Sequence, residues 1–151
     1  KFQFQYNKHK IIKKMIQLKA FFILFAILCG FAFCQQAVTI SPITDTATTV
    51  SKNSELIVKL KGNPTTGYGW YLSNASRLGS AIQATNLNAM GSATSFVRDS
   101  APAGFVGVGG TYTFRFNALA AADNVNLEFA YKRPWETTPI REITVAVKIT
   151  E

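Results

Sequence analysis

Apolar and polar residues alternate along most of the chain beyond residue 37. A period of two puts the apolar side chains on one face of a strand, so such a run predicts a half-buried β-strand. The clearest runs are SELIVKLK (54–61), TYTFRF (111–116), NVNLEFAY (124–131) and ITVAVKIT (143–150). Strands are predicted at about 38–40, 54–61, 68–73, 94–98, 110–117, 124–131 and 140–149. Ile82 and Leu87 allow one more strand within 76–91.

No stretch beyond the leader has a convincing amphipathic helical pattern. NALAAADN (117–124) is rich in Ala, but it is short and ends in Asp-Asn, which favours a turn. Seven to eight short strands joined by turns predict an all-β fold, an antiparallel β-sandwich.

Three connections are expected to share one end of this sandwich, because every second connection of an antiparallel arrangement falls on the same side. They are NPTTG (63–67), DSAPAGFVGVG (99–109) and KRPWETTP (132–139). Together they carry Phe105, Val106, Val108 and Trp135, and clusters of exposed apolar residues mark contact surfaces. The sequence therefore predicts a binding surface made of three loops.

Several of these residues have structural alternatives. Trp70 is expected to be a core residue that packs against the second sheet. Trp135 could fold back as a lid on the end of the sandwich, the Gly107–Gly110 segment could be only a tight turn, and Arg133 could be a solvated charge. Asn74-Ala75-Ser76 is a candidate N-glycosylation sequon, expected at the end opposite the three loops.

The first 34 residues have the pattern of a secretory signal peptide. A basic front precedes the apolar run AFFILFAILCGFAF (20–33), and Ala32 and Cys34 suit cleavage after Cys34, with Met15 as a plausible start. The run is short for a bilayer span, although a retained signal anchor is the alternative. The prediction is a leader at 1–34 and one domain at 35–151, in the secretory pathway, either secreted or endolysosomal.

Removal of the leader changes the function classes that remain open. Six of the 16 basic residues lie in it and none of the eight acids, so 16 − 6 = 10 basic residues remain and the net charge falls from +8 to +2. The basic whole-chain composition is thus no indication of nucleic-acid binding. His9 and both cysteines are lost as well, which excludes Cys–His and Ser–His catalysis and disfavours zinc. The remaining acids form no closely spaced pair, so an enzyme is disfavoured.

Three segments resemble one family in the same order. NPTTGY (63–68), GVGGTYTF (107–114) and RPW (133–135) are similar to the three motifs of the chagasin family of cysteine-peptidase inhibitors. The resemblance covers about residues 38–151 and is weakest at 76–104. It implies an immunoglobulin-like fold and reversible inhibition of papain-like peptidases, cathepsin-L-like or related. The composition predicts no cofactor, no metal and no nucleic-acid partner, no membrane association is expected once the leader is removed, and a monomer is the default.

The resemblance also implies roles for individual residues. Thr65 and Thr66, held by Asn63, Pro64 and Gly67, would enter the cleft beside the peptidase's catalytic cysteine and histidine. Val106, Gly107, Val108, Gly109 and Gly110 would lie on the non-primed side, and Trp135, placed by Arg133 and Pro134, on the primed side. Tyr68 stands at the junction between this loop and the core, and the sequence leaves its role open. The rival interpretation is a non-inhibitory immunoglobulin-like adhesion or ligand-binding module.

Overall fold

The computed structural model describes residues 36–151, so the predicted leader lies outside the described residues. Nine strands fill this part of the chain, together with two single turns of 3-10 helix at Pro64–Thr66 and Ala75–Arg77. The strands are β1 (Ala37–Ile40), β2 (Thr46–Ser51), β3 (Glu55–Gly62), β4 (Gly69–Leu72), β5 (Ile82–Ala84), β6 (Ser95–Arg98), β7 (Gly110–Ala118), β8 (Ala122–Lys132) and β9 (Arg141–Thr150).

The strands form two packed sheets, which confirms the predicted immunoglobulin-like β-sandwich. One sheet has the order β1-β3-β7-β5, with β6 also paired to β7, and the other has the order β2-β9-β8-β4. Most neighbours are antiparallel as expected. However, β1 runs parallel to β3 and β2 runs parallel to β9, because the chain crosses from the first sheet to the second between β1 and β2.

The core lies where the alternating pattern placed it. The inward residues of β3 and β7 face those of β8 and β9, and Trp70 is buried among them as expected. Phe129 packs edge-on against Phe114, with ring centroids 4.9 Å apart. Burying one such side chain contributes about 1.5–3 kcal/mol, so the shared face of the two sheets is the main source of stability.

Strand β2 was not predicted, and its composition explains why. The segment TATTVS places only Val50 in the core, so it shows no alternation of apolar and polar residues. Its position comes from parallel pairing with β9, in which Val50 lies beside Ile149. An edge strand held mainly by backbone hydrogen bonds leaves little signal in a sequence.

The segment 76–91 contains the predicted extra strand, β5. Strands β5 and β6 pair with successive parts of β7, at 116–118 and 110–113, and both run antiparallel to it. They therefore act as one interrupted edge strand. In the gap, the Asn86 side chain donates to the Thr113 carbonyl (2.6 Å) and accepts from the Arg115 N–H (2.8 Å), replacing ladder bonds. Since β5 and β6 run in the same direction, the additional strand does not change which loops lie at the same end of the sandwich.

The structure places Asn74, the candidate glycosylation site, in a buried position with both side-chain groups hydrogen-bonded. Asn74 is only 6% exposed. Its amide donates to the Asn126 carbonyl (2.8 Å) and accepts from the Glu128 N–H (3.1 Å) on β8. A glycan on this nitrogen would need the side chain to leave β8, so the folded domain uses Asn74 as a backbone clasp.

Candidate functional site

The three predicted connections meet at one end of the sandwich. We call residues 63–67 the wedge, residues 99–109 the Gly-rich loop and residues 133–140 the Trp loop; Lys132, which was predicted to begin the last, belongs to β8. The Asn63 side chain donates to the Gly107 carbonyl at 2.7 Å, and the Arg133 Nε donates to the Thr66 carbonyl at 3.4 Å. The wedge thus lies between the other two loops and is bonded to both.

The wedge is a capped turn of 3-10 helix. Asn63 is its N-cap, and its Oδ1 accepts from the Thr65 N–H at 3.2 Å and from the Thr65 hydroxyl at 2.6 Å. Pro64 occupies the first helical position, where its fixed φ suits the turn. Gly67 ends it with φ +81°, in the left-handed region that glycine adopts without strain, and donates to the Pro64 carbonyl. Each residue type of the motif therefore has a local structural reason.

The hydroxyl groups of the wedge are engaged within it. The Thr65 hydroxyl donates to the Asn63 side chain, and the Thr66 hydroxyl donates to the Asn63 carbonyl at 2.6 Å. The side chains of both threonines are exposed, but their protons point into the turn. These hydrogen bonds hold the shape of the tip, and towards a partner the two hydroxyl oxygens act as hydrogen-bond acceptors.

The Gly-rich loop is closed at its base and supported near its tip. The Asp99 N–H donates to the Gly109 carbonyl (2.9 Å), and the Asp99 carboxylate pairs with Lys61 (2.6 Å). Arg98 donates to the Phe105 carbonyl at 3.0 Å. Gly107 has φ +73°, a conformation that strains any residue with a Cβ.

The loop turns apolar side chains outwards. Val106 is 91% exposed and Phe105 is 64% exposed, whereas Val108 is half-buried. Gly110, the first residue of β7, has its α-carbon against β6. A Cβ there would lie 2.4 Å from the Phe96 ring, so only glycine fits. Gly110 positions the loop and is not part of the exposed surface.

The Trp loop presents its tryptophan to solvent. Trp135 is 73% exposed, so it does not adopt the alternative position of a lid over the core. A turn closes behind it, in which the Glu136 N–H donates to the Arg133 carbonyl at 3.1 Å. The Glu136 carboxylate in turn pairs with the Arg133 guanidinium at 3.3 Å.

Arg133 joins the Trp loop to the wedge. Its guanidinium stacks over the Tyr68 ring at 4.4 Å, while its Nε reaches the Thr66 carbonyl. Arg133 is therefore a structural connector and not a solvated charge. Tyr68 also stacks against Tyr131, with ring centroids 5.6 Å apart. This settles the position of Tyr68: it links Arg133 to the aromatic residues beneath the wedge.

Four aromatic residues lie beneath the wedge, and we call them the platform: Tyr68, Trp70, Tyr112 and Tyr131. The Tyr131 hydroxyl accepts from the Asn63 N–H at 2.9 Å, and the Trp70 Nε1 donates to the Lys61 carbonyl at 2.9 Å. Gly62 passes over them so closely that a Cβ would lie 3.0 Å from the Tyr112 ring. Burial raises the pKa of Tyr112, with smaller contributions from Tyr131 and Tyr71.

Phe105 was predicted as part of the contact surface, but sequence analysis did not single out three other residues of this end: Arg98, Tyr131 and Glu136. Tyr131 bonds to Asn63, which is 68 residues away, so no local motif marks this contact. Arg98 and Glu136 bond to Phe105 and Arg133, which are near them in the chain, but their residue types alone do not indicate these bonds. Only Tyr131 had a usable signal, as the last inward residue of its strand.

Within residues 36–151, no group of three or more His, Cys, Asp or Glu side chains is placed to hold a metal ion. Over the same residues, no helix is long and apolar enough to span a membrane.

Comparison with known proteins agrees with this architecture. Amoebiasin-1 of Entamoeba histolytica is 26% identical over 91 residues, which cover 60% of this chain and 76% of that protein. The cysteine protease inhibitor EhICP2 of Entamoeba histolytica has the same fold, with a TM-score of 0.53 and 21% identity, over 75% of this chain and 95% of that one. Amebosin in solution matches with a TM-score of 0.56 and 23% identity, over 76% of this chain and 99% of that one.

The match to a protein family covers most of the sandwich. It extends over residues 49–149, which include the wedge, the Gly-rich loop and the Trp loop, and the family is described as chagasin family peptidase inhibitor I42. Its members are inhibitors of peptidases and not enzymes. The chain therefore belongs to the chagasin family of peptidase inhibitors.

Proposed function

We propose that this protein inhibits papain-like cysteine peptidases reversibly by inserting the wedge into the catalytic cleft. In this arrangement residues 106–109 lie on the non-primed side, Gly110 positions them from the start of β7, and Trp135 covers the primed side. The observation that carries the proposal is that one uncharged, exposed turn is bonded to two loops that expose apolar side chains. The bonds join Asn63 to Gly107 on one side and Arg133 to Thr66 on the other.

The lack of charge at the tip suits such a cleft. A papain-like cleft holds a thiolate–imidazolium pair, and a charged side chain buried beside it would be desolvated without a partner. Residues 63–67 carry no charged side chain, and the nearby Arg133 is already paired with Glu136. The wedge can therefore fill the cleft without burying an unpaired charge.

The internal bonding of the wedge favours tight binding. Ordering a flexible loop on association costs about 0.5–1.5 kcal/mol for each immobilised side chain. Here the turn is held before binding by its cap, by Pro64 and by bonds to both neighbouring loops. A 3-10 turn also differs from the extended backbone of a substrate, which disfavours cleavage.

The direct test is titration of papain with the purified protein. We expect a stoichiometric loss of activity that is recovered on dilution, and no inhibition of trypsin in a parallel assay. An adhesion or ligand-binding module would leave papain fully active at micromolar protein, and this outcome would exclude the proposal.

Trp135 provides a sharper test of the binding mode. Exposed tryptophans at interfaces often dominate the binding energy, so Trp135→Ala should weaken papain binding by about 2 kcal/mol or more. The fold should be unaffected because the side chain is 73% exposed. Ile140→Ala, which removes another exposed apolar side chain of the same loop, is the matched control. Equal affinity of Trp135→Ala and the parent would remove Trp135 from the interface.

We also propose that the protein enters the secretory pathway through the leader at 1–34. Cleavage after Cys34 would precede the first described residue, Gln36, whose carbonyl accepts from the Glu55 N–H at 2.9 Å. The whole first strand would thus be kept. When the full chain is expressed in eukaryotic cells, the N-terminus of the protein in the medium should be Gln35, whereas cell-bound protein that keeps residues 1–34 would indicate a signal anchor.

A further inference from the structure

In the free protein, almost all hydrogen-bond donors of the wedge are already bonded to other groups of the same chain. The N–H of Asn63 donates to Tyr131, that of Thr65 to the Asn63 side chain, that of Thr66 to the Asn63 carbonyl and that of Gly67 to the Pro64 carbonyl. Pro64 has no N–H. Both hydroxyl protons are also engaged with Asn63. One hydrogen of the half-buried Asn63 amide is all that remains.

Its acceptors, in contrast, keep free lone pairs. The Thr65 and Thr66 hydroxyl oxygens each donate one bond and can still accept. Both side chains are exposed, at the tip of the turn. Towards a partner the wedge is therefore an acceptor surface, and of the thiolate–imidazolium pair in a papain-like cleft it suits the imidazolium, the member that donates.

Given the proposed function, this asymmetry bears on the charge state of the target. We propose that the wedge recognises the protonated catalytic histidine of a cysteine peptidase, through the hydroxyl oxygens of Thr65 and Thr66. A protonated imidazole donates from both nitrogens, whereas neutral imidazole has a lone pair on one of them, which would oppose the lone pairs of the wedge. In papain the cysteine has a pKa of about 3–4, so thiolate and imidazolium coexist over a wide range above it.

Such a preference couples the formation of the complex to the binding of protons. If the inhibitor prefers the imidazolium, complex formation at a pH where free papain has begun to lose that proton must be accompanied by proton uptake. Charged and titratable groups of the inhibitor also surround the wedge: Tyr68 and Tyr131 beneath it, Arg133 and Glu136 on the Trp loop, and Asp99 at the base of the Gly-rich loop. Variants confined to the threonines separate their effect from that of these groups.

The experiment is isothermal titration calorimetry of the protein with papain at about pH 8.5, in two buffers of different ionisation enthalpy. The parent should take up roughly 0.3 proton or more per complex. A Thr65→Val/Thr66→Val double variant, which removes both hydroxyl oxygens, should bind about tenfold more weakly or worse and lose most of that uptake. The double serine variant keeps both oxygens and should restore affinity and uptake.

Thr49→Val, on the exposed edge strand β2, is the control for a threonine-to-valine change away from the site and should behave as the parent. Tight binding without proton uptake, or uptake that survives in the double valine variant, would overturn this inference and leave the inhibitory function intact. Absence of any binding by the parent would overturn both.

Discussion

At the scale of single residues, Asn63 holds the wedge and its surroundings together. Its N–H bonds to Tyr131, its side-chain nitrogen to Gly107, and its two oxygens to Thr65 and Thr66. One residue thus caps the turn, anchors it to the platform and joins it to the Gly-rich loop. An asparagine is required because the same side chain donates on one side and accepts on the other.

Substitution of Asn63 should separate these roles. Asn63→Asp keeps an acceptor for the cap but cannot donate to the Gly107 carbonyl, and it brings a negative charge to the cleft. Papain affinity should fall at least tenfold, while stability changes by about 1 kcal/mol or less. Inhibition constants and denaturant unfolding of the same samples test this. An unchanged inhibition constant would mean that the link to Gly107 is irrelevant to binding.

Arg133 is the corresponding residue on the other side. Arg133→Lys keeps the positive charge but lacks the planar fork that stacks on Tyr68 while bonding to Thr66 and Glu136. Papain affinity should fall about tenfold, an effect of the order of one charge-assisted hydrogen bond. Arg77→Lys, in an exposed pair with Glu128 outside the three loops, is the matched control and should inhibit as the parent does. If Arg133→Lys inhibits as well as Arg77→Lys, the planar geometry of Arg133 is not needed for binding, because both changes keep the positive charge.

At the scale of elements, side-chain amides replace strand pairing where strands stop. Asn86 bridges the gap between β5 and β6, and Asn74 holds the chain to β8 after β4 ends. Both satisfy backbone groups that would otherwise be left without partners, and buried backbone groups without partners are costly. Asn74 and Asn86 therefore stabilise the β-sandwich itself and lie outside the three loops.

Asn74→Ala should therefore destabilise the domain by about 1–3 kcal/mol, because the Asn126 carbonyl and the Glu128 N–H lose their partner. Inhibition by the folded fraction should be unchanged. Ser76→Ala removes the sequon and leaves the Asn74 amide intact, so the secreted protein should keep its stability and lose only the mass of one oxygen atom. A decrease much larger than the mass of one oxygen atom would show that Asn74 carries a glycan.

At the scale of the whole molecule, Tyr112 of the platform should make the free energy of unfolding depend on pH in the alkaline range. Burial raises the pKa of Tyr112, so in the folded state this phenol stays neutral at a pH where the unfolded chain already ionises. A raised pKa contributes stability that is fully present below the unfolded value of about 10 and is lost as pH rises through the folded value. Tyr71 acts in the same direction through burial.

Unfolding free energies measured by denaturant titration should thus fall above about pH 10 in the parent. Tyr112→Phe removes one of the two tyrosines whose pKa is raised by burial, and Tyr71 remains. The unfolding free energy of this variant should therefore fall less steeply over the same pH range. The lysine side chains are unchanged and serve as the internal reference. Parallel pH profiles for the two proteins would exclude a contribution from Tyr112.

The sequence by itself determined most of the strands, the buried tryptophan and the three loop motifs. These are local properties: alternation reports which face of a strand is apolar, and turn residues report backbone conformations. Only the tertiary structure decided that Trp135 faces solvent, that Asn74 is a clasp, that β2 joins β9 and that Asn63 and Arg133 tie the loops together. The contacts of Asn63 with Gly107 and of Arg133 with Thr66 span 44 and 67 residues. Strand register and the packing of the two sheets set such contacts, and no short stretch of sequence encodes them.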